Sequence, residues 1–157
     1  MSDTLAQDAA HILVDADACP VKDEIYKVAL RRKVPVKVVA NSYIRIPEHQ
    51  LIGRQIVSDG FDAADDWIAE RASAKSVVIT SDILLADRCL KAGAWVLSPT
   101  GKRFTDDSIG GAIANRAIMA DLRAAAVGGL TGGPAPFKKE DRSRFLSALD
   151  DALVKLQ

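Results

Sequence analysis

Apolar runs and amphipathic stretches alternate along the first hundred residues. Ile12 to Val14 reads as a short buried strand running out into Asp15. Val21, Ile25, Val28 and Ala29 then recur at helical spacing, predicting a helix from Pro20 to Arg32, with Pro20 suited to a first helical turn. The Val34-Pro35 step breaks that helix, and Val36 to Ala40 predicts a second strand ending at Asn41-Ser42. Residues 43–60 carry no clear period beyond a short candidate strand at Gln55 to Val57. Apolar positions 61, 64, 68 and 72 predict a helix over Phe61 to Ala72. Ser76 to Thr80 predicts another strand, Ile83 to Lys91 a helix stopped near Gly93, and Ala94 to Leu97 a last strand. Beyond Pro99 the pattern changes. Ser108 to Val127 predicts an Ala-rich helix despite Gly110-Gly111, and Gly128 to Pro136, with four glycines and two prolines, a loop. Asp141 to Leu156 predicts a final helix with Phe145, Leu149, Leu153 and Leu156 on one face.

Strands separated by helices point to an α/β domain: a mainly parallel central sheet with helices on both faces. A length of 157 residues suits one domain, taken as 11–157, with 1–10 as a flexible extension. Within it, 128–157 forms a glycine-rich loop and a C-terminal helical arm covering the rest. No apolar run approaches the roughly 18 residues that span a bilayer, which argues against a membrane partner. Met1 to Ala10 lacks the basic start and apolar stretch of a secretory signal. Cys19 and Cys89 show no paired spacing and suit a reducing cytoplasm, and with His11 and His49 they form no zinc pattern.

Lys+Arg and Asp+Glu both number 21, which argues against a broad surface for binding polyelectrolytes. The acids, however, are seventeen Asp and only four Glu. Asp is a poor helix former that favours caps, turns and metal sites. The charge is also unevenly spread. Residues 59–90 carry three basic side chains against seven acids, and residues 91–157 carry ten against seven.

In an open α/β sheet, ligands bind outside the carboxyl ends of the strands. Asp15, Asp17 and Cys19 follow the first strand, Asn41 and Ser42 the second, and Thr80, Ser81 and Asp82 the one after. A helix between parallel strands runs back against them, so its N-terminus returns to that same edge. This brings Asp62, Asp65 and Asp66 there as well. Asp65 and Asp66 also suit a helix dipole, and Asp82 suits a cap for the helix that starts at Ile83. The convergence of three segments is the stronger signal. Two carboxylates about 4 Å apart repel by roughly 4 kcal/mol at an effective dielectric of 20, so a cluster calls for protons or a cation. Mg²⁺ or Mn²⁺ prefers such oxygen ligands and suggests phosphoester hydrolysis by a metal-bound water.

No other nucleophile stands out. Both histidines lie away from the strand ends, and Cys19, followed by Pro20-Val21-Lys22, lacks an Arg-ended phosphate loop. Gly128 to Gly133 follows a helix, not a strand, and reads as a connector. Arg116, Arg123, Lys138, Lys139, Arg142 and Arg144 are candidates for contacting a phosphate backbone. Aromatics at 5% argue against an extended base-stacking platform.

The run Ile12-Leu13-Val14-Asp15-Ala16-Asp17-Ala18-Cys19-Pro20-Val21-Lys22 resembles the opening signature of the bacterial YaiI/YqxD family. The resemblance continues through Ala64-Asp65-Asp66-Trp67-Ile68 and Val78-Ile79-Thr80-Ser81-Asp82-Ile83. It ends in Gly132-Gly133-Pro134-Ala135-Pro136-Phe137 with Asp141-Arg142 and Phe145. That family is in turn similar to PIN-like and 5′-nuclease domains, which implies a three-layer PIN-like α/β fold and a divalent-metal site. By that likeness Asp15, the Asp65-Asp66 pair and Asp82 bind Mg²⁺ or Mn²⁺, with Asp17 as an addition. Where 5′-nucleases often carry a further acid, this chain has Leu84, which implies one firmly held ion in place of two; Asp87 on the following helix is the candidate replacement, set against its reading as solvated surface.

The expectation is therefore a metal-dependent nuclease, acting on RNA ahead of DNA. Asp15, Asp65, Asp66 and Asp82 are its acids, while Asn41, Ser42, Thr80, Ser81, Lys22, Arg116 and Arg142 orient water or substrate. Two alternatives stay open. Asp15-x-Asp17 after an apolar strand also resembles the opening of haloacid-dehalogenase phosphatases, with Asp15 as nucleophile, although Cys19-Pro20 replaces the usual Thr. The other is a non-catalytic module that binds metal or nucleic acid.

Overall fold

β1 (His11–Asp15) is buried at every position, as befits a parallel strand with neighbours on both edges and helices on both faces. The computed structural model describes residues 9–17, 19–60, 62–125 (119–125 as helical backbone) and 137–156. The predicted 128–136 loop lies outside these residues, as do Ala18 and Phe61.

The remaining elements follow in chain order: α1 (Lys22–Arg32), β2 (Val36–Ala40), β3 (Ile52–Ile56), α2 (Ala63–Arg71), β4 (Ser76–Ile79), α3 (Ile83–Lys91), β5 (Trp95–Leu97), β6 (Arg103–Phe104), α4 (Asp106–Ala125) and α5 (Lys139–Leu156). The six strands form one sheet in the order β3-β2-β1-β4-β5-β6. All pairings are parallel except that of β5 with β6.

Alternate side chains sort the core into two layers. Ile12 and Val14 of β1, Val36 and Val38 of β2, and Val77 and Ile79 of β4 face α1 and α5. Leu13, Val39, Val78 and Val96 face α2, α3 and α4. The strand order explains this split. The chain steps one way from β1 to β2 and the other way from β4 to β5. Crossovers of one hand must then place α1 and α3 on opposite faces. The predicted α/β architecture is thus a three-layer one, and the C-terminal helix that covers it buries Phe145, Leu149 and Leu153 completely.

Several boundaries move for physical reasons. Pro20 sits in a turn ahead of α1, not in the helix. The short strand expected at Gln55 to Val57 starts earlier, at Ile52, because its ladder to β2 begins at Val36↔Ile52. α2 starts at Ala63, since Asp62 adopts a left-handed φ of 69°, a conformation that Asp tolerates. α4 begins at Asp106, α5 at Lys139, and β6, only two residues long, has no sequence counterpart. A glycine is required at one junction. Gly101 has φ +89°, and a Cβ there would stand 2.8 Å from the Arg144 carbonyl carbon of α5.

Candidate active site

Where a sheet is built outward in both directions from its centre, a crevice opens at the carboxyl ends of the two strands that diverge. Here that switch point falls between β1 and β4. The β1–β4 register runs from His11↔Ser76 to Val14↔Ile79, which brings Asp15 level with Thr80. Thr80 Oγ1 donates to Asp15 Oδ2 at 2.8 Å and accepts from the Asp82 backbone N–H at 2.9 Å. One buried hydroxyl thereby ties the two strand ends together.

A cleft of about 930 Å³ opens over this junction. Asp15, Asp17, Asp62, Asp65 and Asp82 line it, together with Asn41, Ser42, Ser81, Leu84, Arg88 and Arg116. Asp82 serves two ends. Its Oδ1 caps α3 by accepting from the Leu84 and Leu85 N–H groups at 2.9 and 3.2 Å, and its carboxylate faces the cleft.

Burial and mutual repulsion both act on the acids. Burial, then the Asp82, Asp15 and Asp62 charges, push Asp65 up to about 6, with Arg88 opposing. Burial also raises Asp15; its hydrogen bond from Thr80 opposes this, and the Asp82 and Asp17 charges add to it. Oxygen donors of this kind suit a hard divalent cation. Among the described residues, no three His, Cys, Asp or Glu side chains stand close enough to hold one ion jointly.

The structure separates the other expected residues. Asp66, next to Asp65 on α2, turns away from the cleft, and its Oδ1 accepts from Arg88 Nη1 at 2.9 Å. Asp87 pairs with Lys91 at 2.9 Å along α3. Lys22 and Arg142 do not line the cleft. Lys22 Nζ donates to the Cys19 carbonyl, and Arg142 Nη1 donates to the Pro20 carbonyl and pairs with Glu24, so both hold the turn after β1. Arg144 pairs with Asp141. Of the basic candidates with described side chains, only Arg116 reaches the cleft wall. Cys19 and Cys89 are buried in opposite core layers with both thiols pushed up by burial, Cys89 to about 12. His11 is buried at the far end of β1, with its Nε2 2.7 Å from Ser76 Oγ.

Sequence reasoning missed Arg88 and Tyr43. Arg88 stands four residues after Leu84, so the two share a helix face, and both line the cleft. Tyr43 lies just beyond Asn41-Ser42 at the end of β2 and belongs to the same wall.

Fold and site together define a three-layer α/β protein with an acidic cleft at the switch point of its sheet. Residues 13–155 match the sequence model of the family described as "Uncharacterized BCR, YaiI/YqxD family". The chain belongs to that family. It is 68% identical over 146 residues to a "UPF0178 protein" of Sphingopyxis alaskensis, covering 93% of this chain and 94% of that one. A "UPF0178 protein" of Nitrobacter winogradskyi is 58% identical over 149 residues, covering 95% and 94%. One from Rhodopseudomonas palustris is 54% identical over 156 residues, covering 99% and 95%. No solved structure matches the chain. Among the described residues, no helix is long and apolar enough to cross a membrane.

Proposed function

We propose that the chain is a divalent-metal-dependent nuclease that hydrolyses phosphodiester bonds, in RNA ahead of DNA, at the acidic cleft. The observation that carries this reading is the placement of Asp15, Asp65 and Asp82, from three separate segments, around one cleft, where burial and then the neighbouring charges raise Asp65 to about 6. One or two of these carboxylates, with water completing the shell as Mg²⁺ prefers, would hold Mg²⁺ or Mn²⁺, with Asp17 at the rim and Asp66 left to Arg88. Such an ion supplies Lewis-acid charge at the phosphate and makes water easier to deprotonate. Strand-end and helix acids in this arrangement are also what the likeness to PIN-like nucleases leads one to expect.

The protein's own groups have separate tasks. Thr80 fixes the Asp15 carboxylate through its hydroxyl. Asn41, Ser42 and Ser81 offer hydrogen-bonding groups to water or to substrate oxygens. Arg88 and Arg116 offset the negative phosphate at the cleft wall. In the net reaction the water oxygen bonds to phosphorus, a bridging P–O bond breaks, and the leaving oxygen gains a proton. Buried, unpaired cysteines on opposite faces of the sheet favour the cytoplasm as the setting.

The test combines melting with cleavage. Mg²⁺ or Mn²⁺ should raise the melting temperature of the wild type, and RNA should be cut by the wild type but not by Asp15→Asn or Asp82→Asn. No thermal shift with either ion refutes the metal site. A phosphoaspartate trapped on Asp15 would identify a phosphatase instead, and RNA bound but never cut would identify a binding module.

A further inference from the structure

The acidic cleft does not end at its own acids. A second groove, of about 820 Å³, runs along the connection between β2 and β3, and Tyr43 lines both cavities. Its charged lining is Arg45, Arg54 and Glu48, with His49 beside them, so its balance is opposite in sign to that of the cleft. We propose that this groove is a nucleotide subsite, in which a base beside the scissile bond stacks on Tyr43 while Arg45 and Arg54 hold the flanking phosphate. The proposal deepens the nuclease reading and rests on it for the position of the scissile bond.

Tyr43 is 71% exposed, so its large ring gains little from the core. Its place is nevertheless defined. The Arg54 guanidinium lies over the ring with Cζ 4.6 Å from the centroid, and Arg54 is anchored in β3 level with Val38 of β2. A ring with a cation near one face and solvent around the rest of it is a half-built stack that a base can complete. The spacing suits a strand that crosses both cavities. Asp15 is level with Val39 in the β1–β2 register, so at most about 14 Å of chain separates Tyr43 from the acid end, the span of a short oligonucleotide. A strand laid this way puts one phosphodiester among the acids and another, one or two nucleotides along, among the arginines. It must be single-stranded, because a base within a duplex is already stacked and paired. Low aromatic content excludes an extended platform, but one exposed ring serves one base.

The test is fluorescence anisotropy of the full chain with a short labelled single-stranded RNA in EDTA, where binding is read without cleavage. Tyr43→Ala should weaken binding by about five- to a hundredfold, and Tyr43→Phe should restore it. Arg54→Gln should also weaken it and lower the slope of log affinity against log salt by about 1. Tyr43→Ala should melt with the wild type and leave binding of a duplex of the same sequence unchanged. Wild-type affinity in Tyr43→Ala, or no binding by the wild type, overturns the subsite. The two readings fail separately. Tyr43-dependent binding without cleavage in Mg²⁺ or Mn²⁺ keeps the subsite and removes the nuclease. Cleavage and binding indifferent to Tyr43→Ala do the reverse.

Discussion

Asp65→Asn should make the metal-free protein more stable at pH 8, although it removes an acid from the first turn of a helix. The side chain keeps its shape and loses only its charge. Folding raises the Asp65 pKa from an ordinary value of 3.8 to about 6, so the folded state holds the proton more tightly than the unfolded chain. The resulting penalty is absent below pH 3.8, grows as pH rises through the window, and is complete above about 6. Two units correspond to about 3 kcal/mol. The cleft is open to water, so solvent screening reduces this to about 1.5–2 kcal/mol. Loss of the helix-dipole contribution works the other way by about 0.3–1 kcal/mol. The net gain is about 1 kcal/mol, a rise of about 2–4 °C in melting temperature for a chain of this size. Differential scanning fluorimetry at pH 8 and pH 4 reads it directly. The gain should vanish at pH 4, and millimolar Mg²⁺ should shrink or reverse it at pH 8, because only the wild type keeps the full acid set for a cation. A variant no more stable than the wild type at pH 8, or one with the same advantage at both pH values, would show that the acids do not strain the fold.

Three further outcomes follow from the geometry. Asp82→Asn keeps a good helix cap and Asp82→Ala does not, so urea titration should place the alanine variant about 1 kcal/mol below the asparagine variant. Thr80→Val leaves the buried Asp15 oxygen and the Asp82 N–H without their shared partner and should cost about 1–3 kcal/mol in the same titration. Gly101→Ala combines a left-handed φ with a contact against the α5 backbone; it should cost more than about 1 kcal/mol and speed hydrogen exchange in α5.

The alternation of Val-rich runs with helical periods made the α/β class legible, because burial on both faces leaves β1, β2 and β4 without a polar side to confuse the pattern. β6 was illegible because two residues have no period. β3 was misplaced because half of its side chains, Arg54 among them, face solvent at the sheet edge. The acids were legible as a set but not individually. Asp65 and Asp66 are adjacent, so on a helix they point about 100° apart and only one can face the cleft. That choice depends on how α2 rotates against the sheet, which no local spacing encodes. Arg88 and Tyr43 were hidden for the opposite reason. An exposed arginine on a helix and a tyrosine in an irregular connection look like ordinary surface until the strand order brings the β2 and β4 ends to either side of β1.

The walls of the cleft differ in stiffness. Asp15 sits at the end of a strand clamped by ladders on both edges and buried throughout, so moving it means opening the middle of the sheet. α2, which carries Asp65, buries a single residue, Ile68, and begins at an uncapped Asp62 in a left-handed conformation. The acids act like an anvil and a hinged jaw. Any contraction around a ligand falls to α2, so its amides should exchange early and slow first when a ligand arrives, while those of β1 report only global unfolding.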